Sequence, residues 1–196
     1  MNATIRSLTD PEERRAALPA LARLRIEVFG EWPYLYEGTE SYEAEYLEEF
    51  IAEPGAVLVT AEVNGAIVGA ATASPMRGQK EAFKAPFVAR GFDIDRLFYF
   101  GESVLLPGWR GLGIGHGFFD AREEAARQGG ASHACFCAVV RPADHPLRPA
   151  GARDLHPFWR ARGYGAAEGL VTTFDWKDID QRRETPHPMQ FWMRAL

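Results

Sequence analysis

The sequence is poor in cysteine, in long apolar runs and in positive charge. Only two of its 196 residues are cysteine, which is too few for a disulfide framework and is typical of a reducing compartment. No apolar run approaches the roughly 18 residues that span a bilayer, and the N-terminus has no apolar signal-peptide core. We therefore expect a cytoplasmic protein without a membrane partner. The formal net charge of −5 argues against generic binding to nucleic acid.

Positive charge is missing altogether from one long stretch of the chain. Between Ile26 and Met76 there is no lysine or arginine, whereas ten glutamates lie there. Since the whole chain carries a net charge of −5, the remaining residues together carry +5. One part of the molecule is therefore predicted to be acidic and the rest mildly basic.

Composition and hydrophobic periodicity predict a single α/β domain over residues 1–196. Hydrophobic residues make up 46% and charged residues 25%, as in ordinary globular proteins. Asp10-Pro11 is a typical helix start and Asn64-Gly65 a typical hairpin turn, whereas Pro19 predicts an interruption or restart of the first helix. The predicted strands cover residues 5–9, 56–63, 66–73, 98–106, 133–140, 170–176 and 190–196. The predicted helices begin at residue 10 and cover 41–52, 113–127 and 154–162, with an irregular helical segment over 79–96.

The strongest local signal is the segment from Leu105 to His116, LLPGWRGLGIGH. A buried strand leads into a glycine-rich turn, and the turn leads into a helix. Glycines at 111, 113 and 115 let the backbone approach a ligand closely. The first N–H groups of a helix have no partners within it, and the positive end of the helix dipole lies behind them. The segment therefore predicts a site for a phosphate or pyrophosphate.

Two familiar phosphate-binding patterns do not fit this segment. A P-loop needs Lys followed by Ser or Thr after the glycines, and a Rossmann turn needs a glycine where His116 or Phe118 stands. The segment is also compatible with a tight strand–helix turn that uses its glycines only for packing.

The segment Arg110-Gly-Leu-Gly-Ile-Gly115 resembles the Arg/Gln-x-x-Gly-x-Gly/Ala loop of the GNAT superfamily of acyl-CoA-dependent N-acyltransferases. The preceding strand end, Leu105-Leu106-Pro107, is similar to the Val-x-Pro end seen in that family. Trp159-Arg-Ala-Arg-Gly163-Tyr164 is similar to the aromatic-x-x-x-Gly-Phe end of a later family helix. The resemblance covers most of the chain and implies a GNAT-like fold, with a mixed, mostly antiparallel central sheet flanked by helices.

The resemblance implies acetyl-CoA as the acyl donor and a primary amine of a small molecule or peptide as the acceptor, attacked directly in a ternary complex. The pyrophosphate is expected on the N–H groups of residues 111–116, and the pantetheine arm along the strand before them. Strand 133–140 is expected to splay away from that strand, and an N–H near Leu105 to polarise the thioester carbonyl. The residues implied in cofactor binding are Val104, Leu105, Leu106, Arg110, Gly111, Leu112, Gly113, Ile114, Gly115, His116 and Trp159.

Glu102 is the candidate catalytic base. An alkylamine, with a pKa near 10.4, must lose a proton before it attacks. GNAT proteins often use a carboxylate on or near the fourth strand for this step, and Glu102 lies in an otherwise apolar strand, where burial makes a carboxylate a better base. The alternative is a carboxylate that is paired with one of the basic residues.

The general acid is where the sequence departs from the family. Trp159 stands four residues before Gly163, where the family has a tyrosine, and an indole N–H is not a proton source near neutral pH. Either Trp159 only packs against the cofactor, or the proton comes from Tyr164, Tyr99, His156 or solvent.

His133, Cys135 and Cys137 alternate along one predicted strand, which places three possible metal ligands on one face. A zinc site would need a fourth ligand, and the family similarity implies no metal. We therefore predict that the two cysteines are buried thiols and that the protein holds no metal.

The aromatic loop, residues 31–39, is a candidate acceptor site. Glu31 and Glu37 would steer a cationic acceptor, and the rings of Trp32, Tyr34 and Tyr36 would add cation–π attraction. The alternative is a solvated acidic surface. That second interpretation is favoured for four glutamates of the following helix because they lie opposite its aromatic residues; they are Glu43, Glu45, Glu48 and Glu49.

The proline-rich loop, residues 141–151, is long for a strand-to-helix connection, and such loops are often functional. Asp144, His145 and Arg148 are candidates to line the acceptor pocket. The alternative is a rigid surface loop braced by its prolines.

Two other functions are compatible with the glycine-rich segment. One is a non-catalytic acyl-CoA-binding or regulatory domain, which Trp159 slightly favours. The other is an ATP-binding domain, which the missing Lys-Ser or Lys-Thr pair disfavours. The sequence is compatible with a monomer or a homodimer.

Overall fold

The strands of the described chain, residues 3–196, form one mixed sheet in this computed structural model. Their bounds are β1 (Thr4–Leu8), β2 (Val57–Val63), β3 (Ala66–Pro75), β4 (Leu97–Leu105), β5 (His133–Val139), β6 (Gly165–Trp176) and β7 (Thr185–Ala195), in the spatial order β1-β2-β3-β4-β5-β7-β6. Among these strands only β4 and β5 pair in parallel. The predicted mixed, mostly antiparallel sheet is therefore confirmed.

The α-helices lie on both faces of this sheet. Their bounds are α1 (Pro11–Phe29), α2 (Glu40–Ala52), α3 (Glu81–Ala89), α4 (Ile114–Gln128) and α5 (His156–Ala161), and short 3-10 turns lie at Met76–Gly78, Ile94–Arg96 and Pro107–Trp109. Among the helices of residues 3–196, none is both long enough and apolar enough to cross a membrane.

Helix α1 begins as predicted but does not break at Pro19. Oδ1 of Asp10 accepts hydrogen bonds from the N–H groups of Glu12 and Glu13 at 2.9 and 3.0 Å, as an N-cap does. The helix then runs through Pro19 to Phe29 without interruption, so the expected break is wrong. A proline removes one intrahelical hydrogen bond. We attribute the continuity to the packing of Leu18 and Leu21, which are buried against the sheet on either side of Pro19.

The helices divide the core into layers on the two faces of the sheet. On one face, Leu21 of α1 and Leu47 of α2 are buried in one cluster with Val104 of β4. Helix α3 covers the same face further along the strands, where Phe83 and Phe87 pack with Tyr99. On the opposite face α4 and α5 lie over the sheet, with Phe118 and Phe119 of α4 buried.

Strands β4 and β5 separate after a short parallel contact. Their pairing joins Leu97 with His133 and ends at Tyr99 with Cys135. Beyond that point β4 continues beside β3, and β5 continues beside β7. The predicted splaying of these two strands is therefore confirmed, and it opens a wedge in the sheet on the way to the glycine-rich segment.

Element boundaries differ most from the predictions in the last hairpin. Strand β6 begins at Gly165 and β7 at Thr185, five residues earlier than predicted in each case. The early part of β6 contains a register irregularity between Ala166 and Val171. An irregular, largely exposed stretch lacks the alternation that identifies a strand from sequence.

Candidate active site

The glycine loop, residues 110–116, joins β4 to α4 and presents exposed backbone. Gly111 and Gly113 have φ values of +78° and +83°, in the left-handed region that glycine adopts without strain. A Cβ atom on either glycine would have no neighbour within 4 Å. Only Gly115 has a packing neighbour, since its Cβ would lie 3.5 Å from the ring of Phe158. The two positive-φ glycines therefore serve the backbone conformation of the loop and not its packing.

The N–H groups of residues 111–115 are free to bind a ligand. Within residues 3–196 they have no hydrogen-bond acceptor. His116 differs from the sequence-based expectation, because its N–H already donates to the carbonyl of Gly113 at 3.0 Å. The buried side chain of Ile114 anchors this first turn of α4 to the sheet. A row of free donors at the start of a helix fits an anion such as pyrophosphate.

The wedge between β4 and β5 leads to this row of donors. The N–H of Leu106 donates to the carbonyl of Val68 on β3 at 3.1 Å. Because main-chain groups alternate in direction along an antiparallel strand, the N–H and carbonyl of Leu105 face the wedge. Nε of Arg110 donates to that carbonyl at 3.0 Å, which leaves the N–H of Leu105 as the donor that faces the wedge.

A β-bulge in β4 decides which way Glu102 points. Ala71 pairs with Ser103 and Ala73 with Phe100, so Gly101 and Glu102 together lie opposite Thr72. Phe98 and Phe100 pack towards α4, and strict alternation would direct Glu102 there as well. The extra residue reverses the alternation and turns Glu102 towards α1.

The bulge is held by hydrogen bonds from both sides. The N–H of Glu102 donates to Oγ1 of Thr72 at 3.1 Å. Nη1 of Arg122, on α4, donates to the carbonyls of Thr72 and Glu102 at 3.3 and 3.1 Å, and its Nη2 donates to Oγ of Ser103 at 2.9 Å. Arg122 is buried, and this burial lowers its pKa to about 10. A buried cation thus satisfies the carbonyls that the bulge removes from the ladder.

Glu102 belongs to a buried ionic cluster. Its Oε2 lies 2.8 Å from Nη1 of Arg25, on the inner face of α1. Nε of Arg25 donates to Oε2 of Glu43, on α2. Glu43 is fully buried, so its predicted place on a solvated helix face is wrong. The physical reason is helix geometry, because Glu43 shares its face with Leu47, four residues later, and Leu47 is also fully buried. The alternative in which Glu102 is paired with a basic residue is observed.

One oxygen of each carboxylate in this cluster lacks a partner. Among the described residues, Oε1 of Glu102 and Oε1 of Glu43 are buried and have no hydrogen-bond donor. Tyr34 and Tyr46 lie close enough for Glu102 to act on their ionisation: burial raises the pKa of both hydroxyls well above the ordinary value, and Glu102 raises it further. Both tyrosines are therefore neutral hydroxyls at physiological pH.

The aromatic loop is anchored from two sides. Arg141 forms two hydrogen bonds with the carboxylate of Asp178, at 2.7 and 2.8 Å, and also donates to the carbonyls of Pro33 and Tyr34. The side chains of Arg141 and Asp178 are only 8% and 6% exposed. Nε1 of Trp176 donates to Asp178 and to the carbonyl of Tyr34. This arrangement fixes the aromatic loop against the start of the proline-rich loop and the end of β6.

The two predicted acceptor loops meet, and the two glutamates of the aromatic loop are already paired. The rings of Trp32 and His145 are 5.4 Å apart, which brings the aromatic and proline-rich loops together. Glu31 pairs with Arg110 at 2.8 Å, and Glu37 pairs with Lys177 at 2.6 Å. A paired carboxylate attracts a distant cation less than a free one does, so the steering expected of these two glutamates is weakened.

Asp144, His145 and Arg148 lie near the surface of the proline-rich loop. Asp144 and Arg148 are exposed, and His145 is half-buried. Nδ1 of His145 accepts a hydrogen bond from the N–H of Leu147 at 3.2 Å, and Nη1 of Arg148 donates to the carbonyl of Ala143 at 3.1 Å. These bonds brace the loop internally, which agrees with the rigid-loop alternative for Arg148 and leaves Asp144 available to a ligand.

Trp159 and His156, on α5, are half-buried and pack against aromatic residues of the sheet. Trp159 packs between Phe136 and Trp192, with ring centroids 4.9 and 5.0 Å away. The residue before it, Phe158, contacts the glycine loop instead, with its ring centroid 4.9 Å from that of His116. His156 packs against Trp192 at 4.8 Å. A cofactor contact by Trp159 stays a prediction.

The two tyrosines considered as acids are buried and hydrogen-bonded. The hydroxyl of Tyr99 lies 3.2 Å from Sγ of Cys137, and the hydroxyl of Tyr164 donates to Oε1 of Glu123 at 3.1 Å. Burial raises the pKa of both hydroxyls well above the ordinary value, and their hydrogen-bond partners, Cys137 for Tyr99 and Glu123 for Tyr164, raise it further. Such a hydroxyl holds its proton firmly, which makes it a weak acid.

The two cysteines are free and buried, as predicted. Burial raises the pKa of Cys137 to about 12 and that of Cys135 further, so both remain thiols. The residues from 3 to 196 contain no group of three His, Cys, Asp or Glu side chains that could hold a metal ion. His133 lies beside Ser132 at the start of β5 and not with a ligand set.

Sequence reasoning missed the cationic half of the site. A signal for Arg25 is present in the sequence, because this cationic residue lies at helical spacing with the apolar residues Leu18 and Leu21 of α1. A cation on an apolar helix face predicts a buried partner of opposite charge. Arg122 lies likewise among the inward positions of α4. The pairing of Arg25 with Glu43 and Glu102 has no local signal, because the three residues belong to different elements.

Comparison with known proteins gives a family match. The sequence pattern of the acetyltransferase (GNAT) family matches residues 21–150 of the chain. This range includes Arg25, Glu43, Glu102 and the whole glycine loop. No curated protein matches the chain.

Solved structures of acetyltransferases share the fold at low sequence identity. Ribosomal-protein-alanine N-acetyltransferase from Brucella melitensis is 17% identical, with a TM-score of 0.64, over 98% of this chain and 99% of that one. A GNAT superfamily phosphinothricin acetyltransferase from Sinorhizobium meliloti, in complex with acetyl-CoA, is 19% identical, with a TM-score of 0.62, over 100% and 89%. A GNAT-family acetyltransferase from Streptococcus pneumoniae is 12% identical, with a TM-score of 0.61, over 99% of each chain. The GNAT-like fold implied by the resemblance is therefore confirmed.

Proposed function

Because the chain belongs to the GNAT family of acetyltransferases, we propose that it transfers an acetyl group from acetyl-CoA to a primary amine of a small molecule or peptide, by direct attack in a ternary complex. The observation that carries the proposal is the wedge between β4 and β5, which ends at the free N–H groups of residues 111–115. We further infer that residues 1–196 act as one domain, since the strands of the described residues share one sheet. We also propose a cytoplasmic location, which the low cysteine content favours.

The donor site follows from the main chain of β4 and the glycine loop. Acetyl-CoA, which the related structure from Sinorhizobium meliloti contains, supplies the acetyl group as a thioester. The free N–H groups of residues 111–115 would hold its pyrophosphate, and residues 104–106 would pair with its pantetheine arm along the wedge. The N–H of Leu105 would stabilise negative charge on the carbonyl oxygen that the amine attacks.

Glu102 is proposed as the base that removes the proton of the attacking amine. Glu102 is buried, with 8% of the whole residue and 5% of its side chain exposed. Its Oε1 has no donor among the described residues, so this oxygen is available to accept a proton. General-base catalysis contributes about 10²–10⁴-fold to a rate. No tyrosine of the site is suited to protonate the leaving thiolate, and we propose that solvent supplies that proton.

The acceptor is proposed to bind between the aromatic and proline-rich loops. Tyr34 and Tyr36 would flank it, and Asp144 and His145 would approach it from the opposite loop. Glu31 closes this side of the site through its ion pair with Arg110. The aromatic faces and the acidic stretch around them favour a cationic amine.

The test is an assay of acetyl transfer from acetyl-CoA to a panel of small amines, polyamines, aminoglycosides and peptide N-termini. The release of the free thiol of CoA measures the reaction. We expect at least one acceptor to be acetylated, and Glu102→Gln to lower kcat by about 10²–10⁴-fold without changing the Kd for CoA. Glu45→Gln, on an exposed position of α2, is the matched control and should leave kcat unchanged.

The possible outcomes separate the competing functions. If the protein binds acetyl-CoA and acetylates nothing in the panel, it is a non-catalytic acyl-CoA-binding domain. If ATP competes with CoA and acetyl-CoA transfers nothing, the glycine loop serves a nucleotide. If the protein binds no CoA, the assignment of the glycine loop is wrong.

A further inference from the structure

We propose that Arg25 and Glu43 are positioning residues for the proton acceptor: with Glu102 they form a buried Glu–Arg–Glu unit in which Glu43 offsets the charge of Arg25, so that Glu102 remains able to take a proton. The inference rests on the proposed function, because it assigns Glu102 the role of base.

The geometry gives Arg25 a partner on each side. Nη1 of Arg25 lies 2.8 Å from Oε2 of Glu102, while its Nε donates to Oε2 of Glu43. The three side chains are buried, with exposures of 9% for Arg25, 5% for Glu102 and none for Glu43. The guanidinium therefore lies between two carboxylates whose positions are fixed by the fold. The β-bulge directs Glu102, and a buried position of α2 holds Glu43.

The same geometry leaves one oxygen of Glu102 for chemistry. Oε2 is held by Arg25, whereas Oε1 is buried and has no donor among residues 3–196. A carboxylate that is anchored through one oxygen presents the other in a fixed direction. In the transfer the C–N bond forms, the C–S bond breaks and the thiolate leaves with the electron pair. The proton released by the amine nitrogen goes to Oε1.

The charge of the unit explains why Glu43 is needed. A lone guanidinium in contact with Glu102 favours the charged carboxylate and makes it a poor proton acceptor. Glu43 contacts the same guanidinium, so the pair of Arg25 and Glu43 is neutral and the whole unit carries one negative charge. That charge is the one a proton neutralises when Glu102 acts as base.

Other groups around Glu102 keep one protonation state near neutral pH. Tyr46 of α2 and Tyr34 of the aromatic loop have hydroxyl pKa values raised by burial, so they stay neutral. From α4, Arg122 stays charged near neutral pH, because its pKa is lowered only to about 10. The charges that face Glu102 are therefore those of Arg25, Glu43 and Arg122.

The experiment uses two substitutions that should move the titration midpoint of Glu102 in opposite directions. The protonation of Glu102 is followed by carboxyl ¹³C NMR on the full-length protein labelled with ¹³C-glutamate, with its signal assigned from Glu102→Gln. Glu43→Gln leaves Arg25 uncompensated and should move the titration midpoint of Glu102 to lower pH, by about one unit or more. Arg25→Met removes the cation and should move the midpoint to higher pH.

The controls separate this inference from a merely structural role. Glu45→Gln, an exposed position on the same helix, should leave the midpoint where it is. Arg25→Lys keeps the charge and should largely restore the midpoint. If neither Glu43→Gln nor Arg25→Met moves the midpoint, or if both move it in the same direction, the inference is overturned. If Arg25→Met does not fold, the direction in which Glu43→Gln moves the midpoint decides between the two interpretations.

A kinetic measurement links the unit to the reaction once an acceptor is known. Glu43→Gln should lower kcat by about 3- to 30-fold and move the acid limb of the kcat–pH profile to lower pH, while the Kd for CoA is unchanged. The NMR titration needs no acceptor, so it can succeed where acetyl transfer fails. Shifted midpoints without transfer would refute the proposed function alone, whereas transfer with unshifted midpoints would refute this inference alone.

Discussion

Oε2 of Glu31 lies 2.8 Å from Nη1 of Arg110, and this ion pair joins the aromatic loop to the first residue of the glycine loop. Arg110 also donates from Nε to the carbonyl of Leu105, at the end of β4. The proposed acceptor loop, the proposed donor loop and the strand between them are thus connected through one guanidinium. Both partners are about two-fifths exposed, which places the pair in solvent and makes it sensitive to salt.

We predict that Glu31→Gln tightens CoA binding at low ionic strength. Removing the carboxylate leaves the positive charge of Arg110 beside the phosphate site without its partner. Because exposed ion pairs are worth about 0.2–1 kcal/mol, the Kd for CoA should fall by at most about fivefold. Calorimetry at about 0.05 M and 1 M salt should show the gain only at low salt, since the Debye length falls to about 3 Å at 1 M. Glu37→Gln, whose partner is Lys177, is the control. If the gain in CoA affinity persists at high salt, the charge of Arg110 is not its cause.

We predict that Gly113→Val abolishes stabilisation by CoA, whereas Gly130→Val does not. The two glycines have φ values of +83° and +77°, and neither would place a Cβ within 4 Å of a neighbour. The backbone strain of valine is therefore similar at both positions, but only Gly113 lies among the proposed phosphate donors. CoA at 100 times its Kd should stabilise the wild type and Gly130→Val by about 2.7 kcal/mol in thermal unfolding. An unchanged CoA shift in Gly113→Val would contradict the loop assignment.

We predict that Thr72→Val lowers both stability and activity, and that Thr72→Ser restores them. Oγ1 of Thr72 accepts the N–H of Glu102 at 3.1 Å inside the bulge, and valine removes this acceptor at nearly constant volume. A buried N–H without a partner costs about 1–3 kcal/mol. Urea unfolding should show this loss, and kcat should fall because the orientation of Glu102 depends on the bulge. Equal kcat values for the valine and serine variants would show that the bond does not orient Glu102.

We predict a pH-dependent stabilisation by Asp178. Burial acts to raise the pKa of Asp178, but hydrogen bonds from Arg141 and His187 outweigh burial and hold the pKa below its usual value. A carboxyl group whose pKa is lowered by folding stabilises the protein above its unfolded pKa, about 3.9, and the stabilisation is lost as the pH falls through the folded pKa. Asp178→Asn should therefore cost about 3–5 kcal/mol at pH 7 and progressively less below about pH 4.

Urea unfolding of the wild type and Asp178→Asn at pH 7 and near pH 3 measures this difference. Asp175→Asn, at an exposed position of β6, is the matched control and should show little effect at either pH. If the free energies of unfolding of the wild type and Asp178→Asn differ by the same amount at both pH values, the carboxylate charge of Asp178 does not contribute to stability.

Local features of the sequence were sufficient to predict the helix starts, the hairpin turn and the glycine-rich turn. The Asp10-Pro11 start of α1, the Asn64-Gly65 turn between β2 and β3, and the glycines that precede α4 each depend on neighbouring residues, so their signals lie within a few positions. The same holds for the two buried cysteines of β5. The GNAT resemblance was recognisable from the glycine loop for this reason.

The tertiary structure alone decided the surroundings of Glu102. A bulge at Gly101 and Glu102 reverses the alternation of β4. An isolated glycine within a strand is compatible with a bulge, but the direction of Glu102 depends on the pairing of β4 with β3. Arg25, Glu43 and Glu102 are 18 to 77 positions apart, and their contact depends on how α1 and α2 lie across the sheet. Glu43 was misplaced because its charge was taken to indicate a solvated position, although helical spacing puts it on the same face as the buried Leu47. The sequence by itself determined the helices, the turns and the loop that presents free N–H groups, since these arise from short-range backbone geometry. Burial and pairing of charges arise from long-range packing, and only the folded chain determines them.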